Sequence, residues 1–213
     1  MKIALIGGTG FVGSALLDEL LSRGHRVSAL ARHPQKYAAR PGLAVVSADV
    51  LDAAQVARAV AGHDAVISAY NPGWGEADIH DLFLRGSDAI VAGVKAAGVR
   101  RLLVVGGAGS LFVAPGVQLV DTPDFPAEWK QGALAAREAL ERIRGETELD
   151  WTFVSPPAFL VPGPRTGSFR SGADALLFDG DTPASISVSD LAVAIVDEAE
   201  RGLKLRQRFT VGY

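Results

Sequence analysis

Lys2-Ile-Ala-Leu-Ile-Gly7-Gly-Thr-Gly10-Phe-Val-Gly13 is the stretch that decides the fold. A short apolar strand, residues 3–6, runs straight into three glycines spaced G-x-x-G-x-x-G. A helical pattern follows, with Phe11, Leu16, Leu17, Leu20 and Leu21 apolar among Ser14, Asp18, Glu19 and Arg23. Strand, glycine turn and helix start in direct succession are the context of a dinucleotide-binding turn. Gly7 lets the chain turn tightly off the strand. Gly10 removes the Cβ that would keep the backbone from a pyrophosphate, and Gly13 lets the helix pack close to the sheet. A pyrophosphate would then rest on unpaired N–H groups at a helix N-terminus, where the dipole favours an anion. The same glycines also serve a tight turn that binds nothing.

Written Gly7-Gly8-Thr9-Gly10-Phe11-Val12-Gly13, this spacing resembles the short-chain dehydrogenase/reductase superfamily in its extended and atypical branches. There it marks NAD(P) binding, which implies cofactor contacts at Gly7, Thr9, Gly10, Phe11, Val12 and Gly13.

Outward from the turn, strands and helices alternate. Residues 26–31, 43–47, 65–69, 101–105 and 151–155 read as further strands, and 209–211 as a last one. Asp52-Ala-Ala-Gln55 looks like a capping box opening a helix to residue 60. Helices are expected over 78–97, stopped by Gly98, and over 127–144. Another is expected from a Ser189 cap to residue 200, closed by Gly202. This alternation implies right-handed crossovers and an α/β Rossmann-like, doubly wound, mostly parallel sheet with helices on both faces. The expected strand order is 3-2-1-4-5-6-7, in a single NAD(P)-binding domain over 1–213. Residues 106–126 and 156–184, rich in Gly and Pro, break the rhythm. Both follow strand C-termini, where ligands of doubly wound sheets bind, and they are expected to form the acceptor site.

Composition excludes several classes. Of 213 residues, 48% are hydrophobic and 21% charged, so burial can offset chain entropy. The net charge of −3, without runs of like charge, offers neither a nucleic-acid surface nor a membrane-binding face. No cysteine is present, which removes disulfides, thiol catalysis and zinc–thiolate sites. The chain opens on a strand and not a signal peptide, and holds no run of about 18 uncharged apolar residues. A cytoplasmic protein, monomeric or homodimeric, is expected.

Residues 29–33 read Ala-Leu-Ala-Arg32-His33 at the end of the second strand, where an NAD site usually carries an acid for the ribose 2′-hydroxyl. No carboxylate occurs between Glu19 and Asp49. Arg32 stands where a 2′-phosphate would lie, and its planar fork matches phosphate geometry. His33 and Lys36 would add positive charge. NADP(H) is therefore preferred, with NAD(H) as the second choice, although an ordinary solvated basic loop would look the same. The resemblance further implies that Asp49-Val50 flanks the adenine, that Ala69-Tyr70 nears the nicotinamide ribose, and that Ser155-Pro156 forms a nicotinamide wall. Asp49 would equally suit a turn.

Reductases of this superfamily commonly use Tyr-x-x-x-Lys, with a Ser, to protonate a carbonyl oxygen. Here Tyr37 is followed four residues on by Pro41, Tyr70 by Trp74, and Tyr213 ends the chain. The motif is absent, which argues against carbonyl reduction and sugar epimerisation. A flavin or quinone fits better, since its proton can come from water and the protein supplies position. The candidate proton donors or anchors are Ser110, His80, Trp129 and Lys130, with Ser110 as the expected catalytic residue. Ser110 in Gly106-Gly-Ala-Gly-Ser110 leads, because it follows the fifth strand where the superfamily serine falls; a turn serine bonding its own loop is the competing view. His80 reads as a surface histidine at a helix start, and His25 and His63 as solvent-exposed. No histidine–carboxylate spacing suggests a metal site.

Arg101-Leu-Leu-Val-Val-Gly-Gly-Ala-Gly-Ser110, Asp121-Thr-Pro-Asp-Phe-Pro126, Asp150-Trp-Thr-Phe-Val-Ser-Pro156 and Arg208-Phe-Thr-Val-Gly-Tyr213 resemble the atypical short-chain family named for NADH-flavin reduction. The chain is similar also to the NmrA-like and biliverdin-reductase-B-like groups. The resemblance implies NAD(P)H-dependent hydride transfer to a small-molecule acceptor, a flavin or quinone, with the flavin as substrate and not a tightly bound cofactor. The alternative is a redox sensor that binds dinucleotide without turnover.

Overall fold

The structure, a computed structural model, describes residues 1–213. Eight strands form the central sheet: β1 (Lys2–Ile6), β2 (Arg26–Ala31), β3 (Leu43–Ser47), β4 (Ala65–Ser68), β5 (Arg101–Val105), β6 (Asp150–Ser155), β7 (Arg170–Gly172) and β8 (Gln207–Gly212). Five helices connect them: α1 (Phe11–Ser22), α2 (Ala53–Val60), α3 (Ile79–Ala96), α4 (Ala127–Arg144) and α5 (Val188–Arg201). The sheet order is β7-β8-β6-β5-β4-β1-β2-β3. All pairs are parallel except β7–β8, which is antiparallel. This is a Rossmann-like α/β fold. The seven strands read from the sequence take the expected order, with β8 as the seventh. The addition is β7, on the edge beyond it. Three residues, Arg170-Ser-Gly172, carry no apolar alternation, so nothing local announces the strand.

Burial on both faces explains why the strands read as continuous apolar runs. Ile3 and Leu5 pack with Leu16, Leu20, Leu191 and Ile195 beneath α1 and α5. Ala4 and Ile6 point the other way, with Val56, Ile90, Val94, Leu140 and Phe153 beneath α2, α3 and α4. No helix is long and apolar enough to cross a membrane.

Caps fix where helices begin. Asp52 accepts from the N–H groups of Ala54 (2.9 Å) and Gln55 (3.1 Å). Gln55 closes no full capping box. Its Oε1 accepts from the Asp49 N–H instead (3.0 Å), tying the β3–α2 turn to the helix. On α5 the cap is Ser187, whose Oγ accepts from the Asp190 N–H (3.0 Å), and not Ser189, whose hydroxyl donates to the Gly163 carbonyl (2.9 Å). His25 is buried, not exposed: α5 lays Glu200 over the turn before β2, so the ring bridges Glu200 (2.8 Å) and the N-terminal ammonium (3.1 Å). His63 is half-buried, because its Nδ1 turns back to donate to the Val60 carbonyl (2.9 Å).

The irregular stretches hold short two-stranded pieces, Phe112–Ala114 with Val117–Gln118 and Phe159–Val161 with Ser185–Ser187. Fully buried Asp190 anchors the second stretch. It accepts from the Thr166 N–H (2.8 Å), the Gly167 N–H (2.8 Å), the Thr166 hydroxyl and the Tyr213 hydroxyl (2.8 Å). Burial pushes this carboxyl up, but the Thr166, Gly167 and Tyr213 donors outweigh it and hold it below the usual carboxylate range. A depressed carboxylate contributes stability that is complete above its unfolded value, near pH 4, and is lost as pH falls through the folded value. Asp190→Asn should cost about 2–4 kcal/mol at neutral pH. In denaturant titrations the gap to wild type should shrink below about pH 4. A gap that stays constant into strong acid would contradict this anchoring role.

Candidate active site

The glycine turn is built for close approach on both sides. Gly7 has φ +80°, and a Cβ there would lie 2.4 Å from the Ala69 carbonyl oxygen. A Cβ on Gly13 would lie 2.0 Å from the Gly7 carbonyl oxygen. These two seal the turn against β4 and α1. Gly10 differs: its φ of −78° suits any residue, and a Cβ would come no closer than 3.3 Å to Gly7 O. The fold therefore does not need a glycine there, and Thr9, Gly10 and Phe11 are all exposed.

The N-terminus of α1 has no side-chain cap and no acidic residue in its first turn. The other four helices are served: α2 by Asp52, α5 by Ser187 and Asp190, α3 by Asp81 and α4 by Glu128. The leading N–H groups and positive dipole end of α1 are thus left without a side-chain anion, beside a glycine that presents no Cβ. A pyrophosphate fits that arrangement.

Beside the turn opens a cleft of about 290 Å³. Gly7 and Thr9 form one end; Arg32, His33, Lys36 and Tyr37 form the wall after β2; Asp49 and Val50 follow β3; Tyr70, Asn71 and Glu76 follow β4. The cleft thus gathers Gly7, Thr9, Arg32, Asp49, Val50 and Tyr70 of the residues expected for the cofactor, while Gly10, Phe11, Val12, Gly13, Ala69, Ser155 and Pro156 are not among its lining. Asp49 serves a turn and faces the cleft at once, since Oδ1 accepts from the Leu51 N–H (3.0 Å) while the residue stays half-exposed. Tyr70 is no free acid. Its hydroxyl donates to the Leu82 carbonyl (2.9 Å), and burial pushes the phenol up. Tyr37 was not expected here. A Cβ on Gly8 would come 2.6 Å from its hydroxyl, so the phenol lies over the glycine turn, and burial pushes it up too. Its place five residues after Arg32 in the same basic loop is the signal that could have found it.

Beyond the cleft lie the C-terminal ends of β4, β5 and β6, with Ala69, Gly106 and Ser155-Pro156. Ser155 is fully buried and its hydroxyl has no partner. It stands opposite Thr210 of β8, whose hydroxyl is also buried and unpartnered. Ser110 lies behind the loop surface. It is buried, and its Oγ accepts from Arg208 Nη1 (2.9 Å), which also reaches its carbonyl oxygen (3.0 Å). The Ser110 hydroxyl therefore bonds across the chain to β8, and not within its own loop.

Arg208, missed in the sequence, joins the two irregular stretches. Besides Ser110 it donates to the Asp174 carboxylate (Nε, 2.7 Å) and the Asp174 carbonyl (3.1 Å). The loops also pair directly, Phe112 N–H to Asp174 O and Leu176 N–H to Phe112 O, each at 2.9 Å. The position of Arg208 within β8, directly before the buried Phe209, was the available signal. His80 is half-exposed beside Asp81 and Glu138, on the surface as expected. Trp129 and Lys130 are exposed on the first turn of α4.

Residues 7–200 match the NAD(P)H-binding family, and the chain belongs to it, in its atypical short-chain dehydrogenase/reductase form. It is 37% identical over 214 residues to the uncharacterised protein YwnB of Bacillus subtilis, covering 99% of this chain and 98% of that one. A provisionally assigned epimerase of Bacteroides thetaiotaomicron superposes with a TM-score of 0.93 at 46% identity, covering 100% of this chain and 96% of that chain. A provisionally assigned NADH-flavin reductase of Streptococcus pneumoniae superposes with a TM-score of 0.84 at 33% identity, covering 100% and 99%.

Proposed function

We propose that this protein is an NADP(H)-preferring oxidoreductase that reduces a flavin or quinone-like acceptor. The observation that carries the cofactor half is the bare N-terminus of α1 behind exposed Gly10, alone among the five helices in having neither cap nor acid. When bound, the nicotinamide supplies a hydride, and the acceptor is reduced by that hydride together with one proton from water. The glycine turn holds the pyrophosphate, and Asp49-Val50 faces the adenine. Arg32, assisted by His33 and Lys36, neutralises a 2′-phosphate. Ala69, Tyr70, Ser155 and Pro156 wall the nicotinamide end.

Two features support an acceptor that needs no protein acid. The Tyr70 phenol is spent on the Leu82 carbonyl, and the Ser110 hydroxyl is held by Arg208 inside the protein. Rate then comes from holding the two rings about 3–3.5 Å apart. Ser110 takes part as a positioning residue, fixing the loop after β5. The named epimerase relative suggests a different chemistry, but sugar epimerisation in this superfamily relies on the tyrosine that is missing here.

The experiment is steady-state NADPH oxidation against flavins, quinones and aldehydes. Flavins or quinones should support turnover well above any aldehyde; preferential aldehyde reduction would overturn the acceptor class. Arg32→Ala tests the cofactor preference. A charge-assisted bond to the 2′-phosphate makes the expected loss of NADPH affinity roughly ten- to a hundredfold, with NADH binding little changed. Equal losses for both cofactors, measured by calorimetry, would remove Arg32 from this role.

A further inference from the structure

The chain has three tryptophans, and they are used in opposite ways. Trp151 is buried, and its indole N–H donates to the Glu146 carbonyl (3.2 Å). Trp74 and Trp129 are 57% and 50% exposed. Both belong to the first turns of α4, Trp129 by sequence and Trp74 by contact. Trp129 precedes Gly132 by three residues on α4, so both lie on one helix face a turn apart. Trp74 comes from the loop after β4 and rests on that glycine. A Cβ at Gly132 would lie 2.7 Å from Trp74 Cζ3, 3.1 Å from Ile79 Cδ1 and 3.3 Å from Trp74 Cη2. The indole is therefore seated against the α4 backbone, at a place where no side chain larger than hydrogen fits, yet more than half of it is left open.

Two half-open indoles at one face of α4, Trp74 seated on Gly132 and Trp129 one turn before it, offer a stacking surface whose natural complement is a flat π-system. Its location identifies what it serves. Trp74 shares its loop with Tyr70, Asn71 and Glu76, which line the dinucleotide cleft. Trp129 opens the helix that follows the stretch 106–126. The pair thus sits at the C-terminal edge of the parallel sheet, one short loop from the cofactor.

We infer that Trp74 and Trp129 form a subsite for the hydride acceptor, which is a planar heteroaromatic ring bound by stacking. This rests on the oxidoreductase reading above and specifies the acceptor's shape. Open-chain aldehydes and small ketones offer nothing to such a surface, whereas an isoalloxazine does.

The test is FMN titration of the NADP⁺-saturated protein, followed by tryptophan emission and by calorimetry, alongside the flavin KM in turnover. Trp74→Leu and Trp129→Leu should each weaken FMN binding roughly ten- to a hundredfold, the range that base–aromatic stacking commands. The Phe variants should recover much of it, and NADPH affinity and thermal unfolding should stay near wild type. Unchanged FMN affinity in the double Leu variant would overturn the subsite. So would a wild-type sedimentation coefficient that falls in the variant while FMN affinity holds, which would make the pair a contact between copies of this chain. Wild-type turnover with an unaffected variant leaves the reductase reading intact and removes the subsite. Tryptophan-dependent FMN binding without any turnover removes the reductase reading and keeps the subsite.

Discussion

Gly10→Val should abolish dinucleotide binding, a loss of at least about a hundredfold by calorimetry, while the protein stays folded. The geometry separates this glycine from its two neighbours. Gly10 has ordinary helix-entry backbone angles, and a Cβ there meets only the Gly7 carbonyl at 3.3 Å, so a small adjustment admits it. The branched side chain would then stand on the exposed face of the turn, where the pyrophosphate approaches the α1 N–H groups. A shift in stability within about 1 kcal/mol is expected, or a few degrees in melting temperature. Gly13→Ala should behave in the opposite way. Its Cβ would sit 2.0 Å from a backbone oxygen and cannot be accommodated without moving α1 off the sheet, so the protein itself should be lost. Retained affinity in Gly10→Val would reduce the turn to a structural device.

Arg208→Met should carry the second large effect, on stability and on the two irregular loops together. The guanidinium is almost wholly buried while its partner Asp174 is half-exposed. Burial pushes the guanidinium pKa down, with Asp174 opposing that shift. The substitution removes donors to Asp174 and the donor to Ser110 Oγ and Ser110 O, leaving the buried Ser110 acceptors unpaired. The expected cost is about 3–5 kcal/mol, roughly a 10 °C fall in melting temperature for a chain of this size. Because Arg208 does not touch the cleft beside the glycine turn, NADPH affinity should be nearly unchanged, while flavin KM rises. A loss of NADPH affinity equal to the loss for flavin would show that the loops and the cleft are one unit.

The architecture was legible because each signal was local. Apolar runs of four to six residues, the Asp52 cap, the Gly98 and Gly202 stops and the Gly7–Gly13 spacing each constrain the chain within a few residues of themselves. So was part of the cleft beside the glycine turn, since Arg32, Asp49 and Tyr70 sit at strand ends whose order the alternation dictates. What escaped depends on contacts across the chain. Nothing near residue 208 shows that Arg208 will meet Ser110, 98 residues away. The buried state of His25 is set by Glu200 on a helix 175 residues distant. Edge strand β7 owes its existence to the β8 backbone beside it. The Tyr37 ring finds the glycine turn only because the basic loop folds back over it.

The central claim is that NADPH held at the glycine turn gives up its hydride to a flavin without a protein acid. Stopped-flow measurement of NADPH absorbance decay in a single turnover, with and without FMN, tests it most directly. The expected result is decay that appears only with FMN. Ser110→Ala should slow it by about ten- to a hundredfold without changing the shape of the pH profile, below the roughly 10⁴-fold of a true catalytic acid. Tight NADPH binding with no acceptor-dependent decay for any flavin or quinone would contradict the account and leave a dinucleotide sensor in its place.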